Sequence, residues 1–381
     1  MFPLIEISWW GWLLLALVSV QFTIVVCVSI YLHRDQSHRA LTVHPALAHL
    51  IRAWLWISTG QSTSEWVDVH SKHHTFCETE KDPHSPQIHG LGKVMLLGVW
   101  MYTKAAREPQ ALQRYAKGTP NDWLERHVYQ PWSLWGPLLL LPAYLALFGI
   151  AKGTALYLVQ ILWTPFWAAG VINGVAHTFG YRNFATGDAS RNMVRWGLWI
   201  AGEELHNNHH AHPTSAKFSY RPGEIDIGWG VVRVLEWLRL ARVHRTAQAP
   251  VLLDQPQDCA PELLARVARH RLQVGNWFDA LWSGSLDELR RCHQLTPEQA
   301  GLLKDAYRSL VLSGDAQVLL ERQQELHALR AHWQALQRLW EDRKAGAQDL
   351  ARDFALWCER AESAGIGALR EYSLRLRRLG T

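Results

Sequence analysis

Between Trp9 and Leu32 the chain carries 24 consecutive residues without a charged side chain. As an α-helix this run is roughly 36 Å long at about 1.5 Å per residue. That exceeds the ~30 Å hydrocarbon core of a bilayer, so the run can cross it with some tilt. It has neither a basic leading segment nor a small-residue cleavage site, and is expected to stay as a span rather than be removed as a leader. Two further apolar runs, 131–151 and 153–176, are separated only by Lys152 and read as a transmembrane hairpin. The 21 Trp residues collect near the ends of such runs, as Trp9, Trp10, Trp12, Trp132 and Trp135 do, where indole rings anchor at a membrane interface.

Two shorter apolar segments are expected not to cross. Residues 45–60 contain His49 and Arg52, and residues 91–103 contain Lys93 and are followed by Lys104 and Arg107. Both read as helices on or just beneath the membrane surface. Parity supports the count. Histidine clusters fall at 33–38, 70–74, 177 and 206–210, and three spans put all of them on one side of the membrane. Eleven Lys or Arg residues lie from Arg34 to Arg126, against Lys152 alone in the hairpin loop, so the cluster side is expected to be cytoplasmic and the N-terminus external.

From about residue 251 the composition shifts to Arg, Gln, Glu, Leu and Ala, with helical spacing over 321–342 and 347–359. SLDE from Ser285 and TPEQ from Thr296 both fit a capping box, the second with proline in the first turn. The expectation is an all-α chain: a membrane domain over 1–250 and a soluble helical module over 251–381. The five cysteines are scattered without CxxC spacing, which argues against zinc-ribbon, iron–sulfur and disulfide frameworks. The net charge of +5 is read through topology, and no nucleic-acid partner is expected.

The chemistry is carried by three boxes: HRDQSH (His33, His38), HSKHH (His70, His73, His74) and HNNHH (His206, His209, His210). A fourth element, NGVAH, brings Asn173 and His177 at the end of the last run. In each HxxHH box the three histidines share one helical face, able to present three imidazoles to a metal pair. His33 and His38 are five apart and diverge by roughly 140° on an ideal helix. They suit different metals, or a locally distorted helix end. Imidazole binds Fe, Zn, Cu and Ni, and nine histidines exceed what one four-coordinate zinc needs. Two metals is the simplest reading. His49, His127 and His332 read as structural, and His44, His84, His89 and His212 stand near the boxes but outside their spacing.

HxxxxH, HxxHH and HxxHH, in this order around apolar spans, resemble the membrane fatty-acid desaturase family. SEWVDVHSKHH with ETEKDPHSP is similar to the family's second-box region, and GEELHNNHHAHP with SAK and EIDIGW to its third. The resemblance covers roughly residues 9–245. It implies a helical desaturase fold with about three transmembrane helices and a cytoplasmic di-iron cap. It implies two iron ions held by His33, His38, His70, His73, His74, His177, His206, His209 and His210, with Asn173 reaching one iron through water. No catalytic residue beyond the metal site is expected. Asp35, Glu65, Asp82, Glu203 and Asp226 lie near the boxes and are candidates to accept the outer imidazole N–H and fix each ring's tautomer.

The implied reaction is O₂-dependent insertion of a cis double bond into a saturated acyl chain, carried on phospholipid or on CoA. Removing hydrogens from unactivated methylenes is work for the cofactor, while the protein orients the chain. Val69 stands where acyl-CoA members often carry Asp, and HNNHHA is closer to bacterial acyl-lipid members, which points to phospholipid substrate and a bacterial inner membrane. One span precedes the first box where animal relatives have two. No HPGG haem signature occurs, so electrons are expected from a separate ferredoxin-like or cytochrome-type donor and its reductase. A membrane fatty-acyl or alkane hydroxylase is the enzymatic alternative, and a membrane metal-binding protein the non-enzymatic one. The basic stretch 104–126 is a candidate contact for anionic headgroups or CoA phosphate.

Overall fold

The computed structural model describes residues 3–107, 118–309, 311–341 and 345–380. The middle of the basic stretch 104–126 thus lies outside the described residues. The chain divides into two compact units, residues 1–248 and 249–381.

In the first unit, α1 (Trp9–Ser37) is, among the described residues, one of two helices long and apolar enough to cross a membrane. Ser8 starts it by accepting from the Gly11 N–H at 3.0 Å. Its first half exposes Trp10, Leu14 and Val18, and its second half, from Thr23 to Asp35, is almost wholly buried. That gradient fits a helix with one end facing lipid and the other plugged into protein. From Phe22 onward the helix is π-helical, with wider turns closed by i→i+5 bonds.

The second long apolar helix, α5 (Trp135–Val175), is broken at Gly149, whose φ of 77° suits glycine. The sequence placed this turn at Lys152. The break falls earlier because only glycine accommodates the turn. Lys152 stays helical, its ammonium meeting the Ile7 carbonyl and the Trp9 ring. Carbonyls freed at the break accept from Leu4 and Ile5 N–H groups at 3.1 and 2.8 Å. The first arm, residues 135–148, rises about 21 Å, shorter than a hydrocarbon core.

The two segments expected not to span are α2 (Pro45–Thr59) and α4 (Leu91–Ala106), 15 and 16 residues long. At about 1.5 Å per residue neither reaches 30 Å. Helix α2 packs against α5 so closely that a Cβ at Gly136 would lie 2.0 Å from the Trp56 carbonyl. Its Arg52 is buried and pairs with Asp122 at 2.5 Å and Glu125 at 3.5 Å. Helix α3 (Thr63–Phe76) carries the second box, and α6 (His206–Ala211) the third. Two small ladders brace this region. Leu41–Val43 pairs antiparallel with Ala241–Val243, and Trp196–Gly197 pairs parallel with Ile225–Asp226. The latter sets Asp226 at the start of α7 (Ile227–Trp237).

The second unit is helical, with a core built on Val274, Phe278, Trp282, Trp333, Phe354 and Leu376. Thr296 forms the expected capping box with Gln299. Ser285 does not cap. It is buried within the helix Arg271–Arg291, where its hydroxyl meets Glu325 at 3.1 Å. The spacing over 321–342 resolves into helices Gly314–Arg322 and Gln324–Glu341, and 347–359 lies in Ala347–Ser363.

Candidate metal centre

The nine box and NGVAH histidines converge in two groups. The first holds His33, His38, His70, His74 and His209, and the second His73, His177, His206 and His210, with ligand atoms within 4.8 Å of one another in each. The two HxxHH boxes divide between the groups in opposite ways. On α3, the i,i+4 pair His70 and His74 faces the first group and His73 the second. On α6, the i,i+4 pair His206 and His210 faces the second group and His209 the first. Each short helix therefore lies between the groups and feeds both, which a shared face in sequence does not reveal.

His33 and His38 both enter the first group, so the distorted-helix branch of the sequence reading is the one realised. The His38 N–H bonds the His33 carbonyl at 3.1 Å, an i→i+5 bond. The wider π-turn returns the fifth residue to nearly the same side of the helix.

Carboxylates hold the outer edges of four rings. Nδ1 of His33 meets Glu203 at 2.6 Å, His73 meets Asp82 at 3.0 Å, His177 meets Glu78 at 2.9 Å and His210 meets Asp188 at 2.9 Å. An ionised carboxylate only accepts, so each Nδ1 donates and each Nε2 keeps its lone pair. Burial pushes these carboxyls up, but the rings they hold outweigh it: Asp82 falls to about 2, and Glu78 and Asp188 also lie below their usual range. On the inner side, Nε2 atoms face one another. His33 and His209 are 3.0 Å apart, His38 and His70 2.8 Å, His74 and His209 3.1 Å, and His177 and His206 3.0 Å.

Burial first, then the neighbouring imidazoles, hold His38, His70, His74, His206 and His209 well below the ordinary histidine range. His210 is pushed down to about 4 despite Asp188. Where both facing Nε2 atoms carry lone pairs they repel at about 3 Å unless a cation lies between them, and where one carries a proton it donates to the other. Two groups of imidazoles, with a carboxylate fixing one ring of the first and three of the second, suit a pair of transition-metal ions.

The carboxylates expected in this role divide. Glu203 and Asp82 touch rings directly, as above. Asp35 instead accepts from the Val43 N–H at 3.0 Å and ties the strand after the first box to the helix end. Glu65 closes the start of α3 against Ser62. Asp226 caps α7 through Trp229 N–H at 2.8 Å, pairs with Arg34 at 3.3 Å and accepts from the Phe218 N–H at 2.7 Å, so it reaches the site indirectly, through Arg34 and through Phe218, whose ring packs on His209. Arg34, fully buried, bonds the Ala201 and Ala216 carbonyls and stands 3.9 Å from Glu203.

Sequence reasoning passed over Glu78 and Asp188. Glu78 sits in ETEKD, four residues before Asp82, and Asp188 lies in the loop ahead of the third box. Each is expected to matter more than Asp35 or Glu65. Asp188→Asn and Glu78→Gln should each lower metal affinity about 10–100-fold, the usual cost of losing such a partner. Metal retained on dialysis against graded chelator checks this, with Glu65→Gln expected to stay near wild type.

A cavity of about 390 Å³ opens against this centre. Its metal end is lined by His33, His70, His84, His206 and Asn173, and its wall by Val28, Trp66, Val69, Tyr102, Ile161 and Thr164. Trp66 also stacks on His70 at 4.6 Å. His84, buried beside His73, shares Asp82 with it through its backbone N–H at 3.1 Å.

A family model described as fatty acid desaturase matches residues 7–249. A probable chloroplastic lipid desaturase of Arabidopsis thaliana is 30% identical over 229 residues, covering 57% of this chain and 59% of the relative. Delta-9 acyl-lipid desaturase 2 of the same plant is 29% identical, covering 56% and 68%. An acyl-CoA 5-desaturase of Anemone leveillei is 32% identical, covering 55% and 64%. The chain thus spans about three fifths of the length of the first of these relatives.

Proposed function

The chain belongs to the fatty acid desaturase family, and we propose that it is an O₂-dependent fatty-acyl desaturase with two irons, one in each histidine cage. The observation that carries this is the pairing of two imidazole cages with a mostly apolar cavity that ends on them. When bound, the iron pair supplies the O₂-driven oxidation that removes two hydrogens from adjacent methylenes. The protein's own part is placement. Val28, Ile161 and Ile172 line a slot for an alkyl chain, and each buried methylene contributes about 0.8 kcal/mol. Glu203, Asp82, Glu78 and Asp188 fix the ring tautomers. Asn173, on the cavity wall at the metal end, is assigned the water-mediated contact to one iron.

We assign three crossings, α1 and the two arms of α5, with residues 131–134 lengthening the short first arm. The Lys/Arg asymmetry puts the cages on the cytoplasmic face. The bacterial inner membrane rests on HNNHHA, whereas the relatives compared above are plant proteins. Their names include both an acyl-lipid and an acyl-CoA desaturase. We assign the phospholipid-bound chain, because the position often acidic in acyl-CoA members is Val69, a buried apolar part of the cavity wall. Electrons come from a separate redox protein.

The experiment is a gas-chromatographic profile of each lipid class from cells expressing the chain. The expected result is a new cis-monounsaturated acyl chain in phospholipid, whose formation stops when phospholipid acylation is blocked. Hydroxy fatty acids instead would support the hydroxylase reading. An unchanged profile with iron-loaded protein would reject the assignment.

A further inference from the structure

The five cysteines carry no spacing signal, yet the fold brings two of them together. Cys259 and Cys358, 99 positions apart, place their Sγ atoms 3.7 Å from each other within the second unit. Cys358 is buried on the helix Ala347–Ser363. Cys259 is half-buried, two residues before the helix Pro261–Arg269. The segment leading to Cys259 is held by the C-terminal end. Leu253 and Gln257 N–H groups bond the Arg378 and Arg377 carbonyls at 2.7 and 2.9 Å, and the Gly380 N–H returns to Val251 at 2.8 Å. Arg377 Nε donates to the Gln257 carbonyl at 3.0 Å, which sets its guanidinium two residues from Cys259.

We propose that Cys259 and Cys358 are a redox-active dithiol, a modification site that closes to an intramolecular disulfide on meeting a low-molecular-weight disulfide such as oxidised glutathione. A disulfide bond is about 2.05 Å long, so closure needs an approach of under about 2 Å. The half-buried Cys259 is the thiol an external reagent reaches. Its contact with Cys358, and then the Arg377 charge against burial, draw it below the usual thiol range. The same contact and then burial push Cys358 up. A thiol beside a guanidinium is the better nucleophile of such a pair.

The Cys259 thiolate attacks one sulfur of oxidised glutathione, forming a mixed disulfide and releasing one glutathione thiolate. Cys358 gives up its proton and attacks the Cys259 sulfur, expelling the second glutathione. Two protein thiols are oxidised and one glutathione disulfide is reduced to two thiols. The product staples the 251–260 segment to the helix Ala347–Ser363. Reversible closure of this kind is the form disulfides take in reducing compartments.

The test uses the full chain in detergent micelles, equilibrated across ratios of oxidised to reduced glutathione. Samples are quenched in acid, denatured, tagged with a maleimide–polyethylene glycol, and mapped by mass spectrometry. The expected result is loss of the tags on Cys259 and Cys358 at the oxidising end with no glutathione on either, a linked Cys259–Cys358 peptide, and full reversal by dithiothreitol, with any glutathione on the exposed Cys292 counted separately. C292S should behave as wild type, since Cys292 is exposed and elsewhere, while C259S and C358S should each lack the link. Mapping of the wild type decides the matter even where a variant fails to accumulate. Both thiols still tagged under oxidising glutathione, or Cys259 stably glutathionylated with Cys358 free, would overturn the proposal. Both positions lie outside residues 7–249, so neither outcome bears on the desaturase reading.

Discussion

On the proposed desaturase reading, His74→Ala and His210→Ala are each expected to reduce desaturation at least a thousandfold, below detection in a whole-cell fatty-acid profile. The two positions sample the two cages: His74 belongs with His33, His38, His70 and His209, and His210 with His73, His177 and His206. Removing either imidazole takes away a ligand atom at the metal, a larger loss than the 10–100-fold typical of an outer partner. The effect is expected to be the same from either side, because the proposed reaction would need an ion in each group. His127→Ala and His332→Ala are the matched controls. His127 is exposed and stacks on Trp123, and His332 lies in the second unit, so both variants should retain wild-type turnover. A His74→Ala protein with more than a tenth of wild-type activity would remove the first cage from the mechanism.

Filling the cavity should abolish turnover while leaving the metal in place. Ile161→Trp and Thr164→Phe add bulk to the wall of the cavity of about 390 Å³, and neither residue belongs to a cage. Overpacking a core costs about 1–3 kcal/mol, but here open space receives part of the added ring. The expected outcome is a drop of about a hundredfold or more with long acyl chains, and iron content and melting temperature close to wild type. Any residual product should shift toward shorter chains. Unchanged turnover of long chains by both variants would show that the alkyl chain binds elsewhere.

Much of the histidine clustering was legible in the sequence, because rings that converge from one helix leave a periodic trace. Two HxxHH boxes put rings three and four residues apart, which only a helix turns into one face. Their division between two groups was not legible, because it depends on how α3 and α6 lie between the two sets of rings. The HRDQSH box was ambiguous on ideal geometry, and the π-helical end of α1 resolves it. Glu203 and Asp82 could be guessed from proximity to the boxes. Glu78 and Asp188 could not be told from surface carboxylates, since what marks them is a contact 99 and 22 positions away in sequence. Asp35 and Asp226 show the converse: near the boxes in sequence, they are spent on a strand and a helix cap. Ser285 matched a capping pattern, but the helix around it had already begun at Arg271. Gly149 over Lys152 is a matter of one dihedral angle that composition does not encode.

The most direct test of the central claim is an anomalous difference map collected at the iron absorption edge from crystals of iron-loaded protein. The account predicts two iron peaks per chain. One lies among His33, His38, His70, His74 and His209, and the other among His73, His177, His206 and His210. A single peak, peaks away from these rings, or a signal belonging to zinc with full desaturase activity retained would contradict it.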